Sequence, residues 1–328
     1  MEIALSLIGG LVLLVLGGEF LVRGAVRFAE RIGLSPLLIG LTLVGFGTST
    51  PELVTSVEAA LEGSPGIAIG NIVGSNIANI LLILGMSALI FPIAVSQSAL
   101  KRDGVIMVGA AMLLAVVSPL MVLGPFVGAA FVAMLIGYVT YAYLQERSGT
   151  GDHTAAFERG EAVEGLVEHK GQEHARLPAA DIAISLAIAL AGLVLVIFGG
   201  SFLVDGAVKL AAAMGISETV IGLTIVAVGT SLPEMVTSVI AAMKRQADVA
   251  LGNILGSNIY NILGIGGITA LIAPTAVPAE IIARDNLVMV GVSLLLVALA
   301  YTGYRIGRRE GVALIAGYVG YVALIWPK

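Results

Sequence analysis

The chain has 328 residues, 58% hydrophobic and 12% charged, with a mean hydropathy of +1.03. Ordinary soluble domains are about 45–50% apolar and about 25% charged, so a soluble globular protein is excluded. A formal charge of -5, no basic run and 5% aromatic residues exclude a nucleic-acid binder, and zero cysteines exclude disulfides, thiolate chemistry and Cys-ligated metal centres.

The apolar runs are long and continuous rather than alternating over about ten residues, which selects helices over a membrane β-barrel. At about 20 residues per span, ten helices are predicted near 3–27, 36–61, 66–91, 104–123, 126–145, 180–210, 218–243, 247–272, 286–305 and 310–326. The first run starts at Glu2 with no basic segment before it, so a removable signal peptide is not expected. Residues 146–178 are dense in Glu, Gly and His, the composition of a solvated linker. They divide the chain into halves 1–145 and 179–328. Across ten spans, all but three of the 17 Lys and Arg fall on one side, the exceptions being Lys209, Arg284 and Lys328. The positive-inside rule makes that side cytoplasmic, with the linker inside and both termini outside.

The two halves repeat each other. GLTLVGFGTSTPELVTSVEAA from Gly40 returns as GLTIVAVGTSLPEMVTSVIAA from Gly222, an offset of 182 residues. The same offset carries GNIVGSNIANIL at Gly70 onto GNILGSNIYNIL at Gly252, and Arg102-Asp103 onto Arg284-Asp285. The offset spans five helices, an odd number, so equivalent helices cross the membrane in opposite directions. The expected fold is an all-α polytopic membrane protein of ten transmembrane helices, arranged as two inverted-topology five-helix repeats. That symmetry points to a secondary transporter, whose alternating access needs two near-equivalent gates.

Each half places a proline and a glutamate in mid-span, Pro51-Glu52 and Pro233-Glu234. Proline lacks an N–H and crowds the carbonyl four residues before it, so these spans should be broken, freeing the carbonyls of Gly47 and Gly229. A carboxylate at membrane depth costs a few kcal/mol and marks an ion pathway. Two related by symmetry imply one shared site, and no cation stands near either motif in sequence. On the neighbouring spans Asn71, Ser75 and Asn79, and correspondingly Asn253, Ser257 and Asn261, recur every four residues on one face. Ser75, Asn79, Ser257 and Asn261 are read as ligands. Asn71, Asn76, Asn253 and Asn258 are read as hydrogen-bonding glue between helices. Carboxylate, hydroxyl, amide and carbonyl oxygens, without sulfur or imidazole, suit hard cations, calcium above magnesium, with sodium able to compete.

The paired GTS-x-PE and GN-[IV]-x-GSN motifs in two inverted halves resemble the α-repeats of the cation/calcium exchanger superfamily, specifically its prokaryotic sodium/calcium exchanger branch. The matching motif regions are 40–85 and 222–267. The resemblance implies four central ion positions. Calcium would be held by Glu52, Glu234 and backbone oxygens near Thr48 and Thr230. Sodium would use Ser49, Ser75, Asn79, Thr230, Ser231, Ser257 and the carbonyls of Gly45 and Ala227. It also implies that the long first and sixth helices slide across the core. Asn261 stands where potassium-dependent relatives carry Asp, which argues against potassium co-transport, and the linker is too short for the calcium-sensing domains of animal exchangers. Glu158, Glu161, Glu164, Glu168 and Glu173 in it are read as solvation.

The expected activity is exchange of sodium for calcium at one central site. The alternatives are calcium/proton exchange through the same glutamates, a cation channel, and an intramembrane acid–base enzyme, for which no nucleophile or cofactor motif is found. No cofactor is expected beyond the transported Ca2+ and Na+, and no partner beyond the lipid bilayer. A prokaryotic plasma membrane is the expected location.

Overall fold

The computed structural model describes residues 2–31, 45–147, 153–164 and 179–327. The predicted second span, 36–61, and much of the linker therefore lie partly outside the described residues. The described chain is almost wholly helical, apart from one short antiparallel pair, Ile93–Ala94 with Arg305–Ile306.

Six described helices are long and apolar enough to cross a membrane. They are α1 (Glu2–Arg31), α3 (Pro65–Ile90), α5 (Pro125–Arg147), α7 (Ala179–Met214), α10 (Ala247–Ile272) and α11 (Ile281–Tyr301). A seventh span is the broken pair α8 (Glu218–Thr230) and α9 (Leu232–Met243), bent by 49°. The other expected spans show shorter or more polar helices. The predicted span 104–123 holds α4, only 13 residues from Val105 to Val117, and the last holds α12 (Arg308–Ile325), which carries three charged residues in its first turn. Of the predicted second span, the described residues hold the helical piece Gly45–Gly47 and α2 (Thr50–Leu61).

Burial sorts these helices into layers. The most apolar windows of α3 and α10 are 94% and 89% buried, whereas those of α1, α5 and α7 are 22% to 28% buried and turn Leu5, Ile8, Phe126, Leu190 and Phe198 outward. The duplicated GN-x-x-GSN helices thus form the centre, and the outer helices present the apolar surface that a bilayer covers.

At about 1.5 Å per residue, α1 and α7 are on the order of 45–54 Å long, well beyond a hydrocarbon core of about 30 Å, so they must tilt. They pack on one another along glycines spaced seven apart. A Cβ added at Gly10 or Gly17 would lie 2.7 Å from the backbone nitrogen of Leu203 or Val196, and one at Gly192 would lie 2.2 Å from that of Leu21. Small residues let two helix backbones meet without interlocking side chains.

The proline breaks match in the two halves. Ser49 (φ -89°, ψ 8°) and Ser231 (φ -82°, ψ 9°) leave helical geometry at equivalent positions. The helix restarts with proline in its first turn, where a missing N–H removes no intrahelical bond. Both central helices also widen into π-helical turns, Asn79–Ile83 and Tyr260–Gly266, an irregularity common at functional sites.

The linker departs from its sequence reading. Residues Ala155–Glu164 form a helix, α6, that packs into the protein body against α10. Thr154, Ala155, Ala156, Glu158 and Arg159 are buried, while Glu161 is exposed as expected. Glycines of α10 receive α6: Gly252 lies against the Glu158 side chain, and Gly256 against the Arg159 side chain and the Ala155 carbonyl, so a stretch of mixed composition docks rather than remaining solvated. The solvation reading of Glu158 is therefore corrected.

Candidate cation site

The two glutamates meet in the protein centre, each exposed by no more than 2%. Their partners are exchanged across the repeat. Ser49 Oγ donates to Glu234 Oε1 at 2.9 Å, and Ser231 Oγ donates to Glu52 Oε1 at 2.9 Å. Each serine sits at the break of one half and holds the carboxylate of the other, so neither half contains a complete site.

A second reciprocal pair holds the backbone. Asn71 Nδ2 donates to the carbonyl of Glu52 (3.1 Å) and to Ser56 Oγ (2.9 Å). Asn253 Nδ2 donates to the carbonyl of Glu234 (3.2 Å) and to Ser238 Oγ (2.8 Å). All three residues of each set are related by the 182-residue offset. These amides fix the turn that aims each glutamate, so the structural reading of Asn71 and Asn253 holds. Asn258 accepts from Asn79 Nδ2 at 3.4 Å, a bond between helices as expected, whereas Asn76 donates to the carbonyl of Ile72 one turn back in its own helix rather than to a neighbour.

Around the carboxylates the structure brings together most of the expected oxygens. Ser75 Oγ lies 3.0 Å from Ser231 Oγ and 3.4 Å from the carbonyl of Ala227. Thr230 Oγ1 donates to Asn71 Oδ1 at 2.9 Å, with the Val226 and Ala227 carbonyls also within reach. Thr48, Ser49, Asn79, Ser257 and Asn261 are all buried, and Gly45 begins the helical piece that leads to the break. Glu52 Oε2, Glu234 Oε2, Asn79 Oδ1, Ser257 Oγ and Asn261 Oδ1 are buried with no hydrogen-bond partner. Buried oxygens left unmatched are costly, by about 1–3 kcal/mol each, unless a ligand satisfies them. All five are oxygens, the donor type that suits a hard cation. Among the described residues no three His, Asp or Glu side chains converge.

One component was not expected. Arg159 of α6 is fully buried, and its Nη2 donates to Ser49 Oγ, lies 3.2 Å from Thr48 Oγ1 and is 3.5 Å from Glu234 Oε1. Its guanidinium stacks 4.6 Å from the centroid of the Tyr260 ring, which meets Phe46 edge-on at 4.7 Å. The expectation that neither glutamate has a cation nearby is therefore wrong for Glu234. Sequence distance hid it, because Arg159 lies 75 positions from Glu234 in a segment without a counterpart in the repeat. A signal was present all the same. Tyr260 stands where the other half has Ala78, and Phe46 where it has Val228; the first ring stacks on the guanidinium and the second packs on that ring.

Two buried carboxylates at paired helix breaks, ringed by neutral oxygens and built from two repeats, define a cation transporter embedded in the membrane by several helices. More particularly, the chain belongs to the sodium/calcium exchanger protein family, whose model matches residues 3–144 and 184–326. Among its relatives, the putative antiporter CaxA of Alkalimonas amylolytica is 37% identical over 97% of both chains. The sodium/calcium exchanger MaX1 of Methanosarcina acetivorans is 36% identical over 98% of both. The fold is similar to that of the sodium-calcium exchanger NCX_Mj soaked with sodium and strontium, with a TM-score of 0.62, 32% identity and 99% of each chain covered.

Proposed function

We propose that this protein is an antiporter exchanging Na+ for Ca2+ by alternating access, with the two ions competing for one central site. The observation that carries this reading is the reciprocal pairing of Ser49 with Glu234 and Ser231 with Glu52, which makes a single site from two opposed halves. Glu52 and Glu234 neutralise a divalent ion. Thr48, Ser49, Ser75, Asn79, Thr230, Ser231, Ser257 and Asn261, with the carbonyls of Gly45 and Ala227, complete the oxygen shells of calcium and sodium in turn. Mutual exclusion at shared oxygens couples the fluxes, since the carrier reorients with one kind of cargo or the other.

In this reading the chain forms ten transmembrane helices as two inverted five-helix repeats, 1–145 and 179–328, joined by the cytoplasmic linker 146–178. Both termini face outward across a prokaryotic plasma membrane. Smooth glycine contacts between α1 and α7 support sliding of that pair across the core. The wealth of hydroxyl and amide oxygens, which a bare proton does not need, supports sodium over proton as the driving ion.

The test is calcium uptake into proteoliposomes loaded with sodium and diluted into sodium-free buffer, repeated with a pH gradient instead. Saturable uptake that requires internal sodium is expected. Uptake driven by the pH gradient alone would make the protein a calcium/proton exchanger with the same site, and non-saturating flux would make it a channel.

A further inference from the structure

We propose that linker helix α6 is a tethered inhibitor, which seats the Arg159 guanidinium in the cation site so that docked helix and transported cation exclude one another. This rests on the exchanger reading above and adds to it a regulatory element that the repeat does not contain.

The guanidinium is placed where a cargo ion would be. A guanidinium keeps its proton at any physiological pH and has only donors to offer. Arg159 directs them at Ser49, Thr48 and Glu234, three of the residues assigned to the ions. The two halves also differ at the site in a specific way. Thr230 donates to Asn71 Oδ1, whereas its repeat equivalent Thr48 accepts from Arg159 and hydrogen-bonds Glu234, and Asn253 Oδ1 is left without a partner. The half that Arg159 enters lacks a bond that the other half retains.

The groove that receives α6 is floored by glycine. A Cβ added at Gly252 would lie 2.3 Å from the Glu158 Cβ, and one at Gly256 would lie 3.0 Å from the Arg159 Cδ and 3.2 Å from the Ala155 carbonyl. In the other half the equivalent Gly70 and Gly74 receive Gly222 and Leu223, with Ala227 also against Gly74. Thus α6 takes on α10 the place that segment 222–227 takes on α3.

The helix is also latched at its start. The Ala155 N–H donates to Asp103 Oδ2 at 3.0 Å and the Thr154 N–H to Glu146 Oε1 at 2.6 Å, while Arg102 donates to the His153 carbonyl. Asp103 is itself held by Arg102 and by Tyr138 (3.0 Å), as Asp285 is held by Arg284 and Tyr321 (3.0 Å). The first half thus reuses a duplicated Arg-Asp-Tyr cluster as an anchor, with a carboxylate at the positive end of a helix. The docked state carries a built-in cost. Arg159 Nε and Nη1 are buried without hydrogen bonds, which favours release once a better-coordinated cation is present.

The experiment is equilibrium binding of radioactive calcium to the purified full-length protein, with sodium-driven uptake in proteoliposomes alongside, for wild type, Arg159→Ala and Gly252→Ala. The second variant leaves the arginine intact and wedges the helix off its groove. If α6 is docked about nine-tenths of the time, releasing it tightens apparent calcium affinity on the order of tenfold. Both variants should show that tightening, with faster uptake at low calcium, and Arg159→Lys should remain inhibited. Wild-type affinity in both Ala variants would overturn the proposal while leaving the exchanger reading intact. Failure of every form to bind calcium would instead remove the exchanger reading and the inhibitor with it.

Discussion

The two halves of the site carry nearly the same residues and yet are not equivalent. Around Glu52, Asn71 is satisfied at both ends of its amide, and Ser231 bridges the carboxylate to Ser75. Around Glu234, Asn253 keeps only its donor bonds, Ser257 has no partner, and an arginine from outside the repeat enters. Duplication supplied a symmetric acceptor cage, and a segment with no duplicate made one face of it different. Inequivalence here comes from what packs against each half rather than from the motifs.

The severest way to break the comparison is to remove one carboxylate at a time. Glu52→Gln and Glu234→Gln should each abolish calcium uptake, by two orders of magnitude or more, with an unchanged elution profile and helix content. Because the site is shared, the losses should be equal despite the different surroundings. Uptake retained in either variant would mean that one half suffices.

A smaller effect separates the halves by pH. Burial, aided by Asp248, Asp103 and Glu161 against the opposing charge of Arg102, pushes the Glu158 carboxyl up to about 9 in the docked helix. A carboxyl raised in the docked state favours docking at low pH, and that contribution is lost as pH rises from the free value near 4.5 towards 9. Apparent calcium affinity should therefore rise several-fold between pH 6 and pH 9, beyond the change due to protons at Glu52 and Glu234. Glu158→Gln should remove this excess, as a comparison of the two pH profiles of calcium binding will read.

Smaller again is the contrast between the two asparagines. Asn71→Ala loses one more hydrogen bond than Asn253→Ala and should destabilise the protein by about 1 kcal/mol more in thermal unfolding. If Arg159 holds the Thr48 hydroxyl on Glu234, an Arg159→Ala background lets that hydroxyl turn to Asn253 Oδ1, and the difference should shrink. The mildest change is Asn261→Asp, which keeps the side-chain shape and adds a third acid to the cage. It should alter the pH or potassium dependence of transport while leaving expression intact, and loss of expression would show that Asn261 is structural.

Much of this was legible in the sequence because membrane physics leaves few choices. Apolar runs must be helices, a mid-span Pro-Glu pair must break one, and the offset of 182 residues pairs Glu52 with Glu234. The crossed serine bonds follow from that offset once the two breaks face each other. The widened turns at Asn79 and Tyr260 were not legible, since nothing in GSNIAN or GSNIYN distinguishes a π-helical turn from an α-helical one. Helix α6 was hidden for a different reason. AAFERGEAVE has neither the apolar length of a span nor a strong apolar face, so composition alone reads it as solvent-facing. Its burial depends on complementary glycines almost a hundred residues later in the chain. Only the aromatic departures from the repeat, Phe46 and Tyr260, hinted at an extra occupant.

The most direct test of the central claim, that both halves build one site for alternating occupants, is competition binding on the purified protein. Radioactive calcium should bind saturably, be displaced by sodium with a shift in apparent affinity but not in capacity, and be lost in Glu52→Gln and Glu234→Gln alike. Calcium binding that saturating sodium leaves untouched, or that survives in either variant with wild-type affinity, would contradict it.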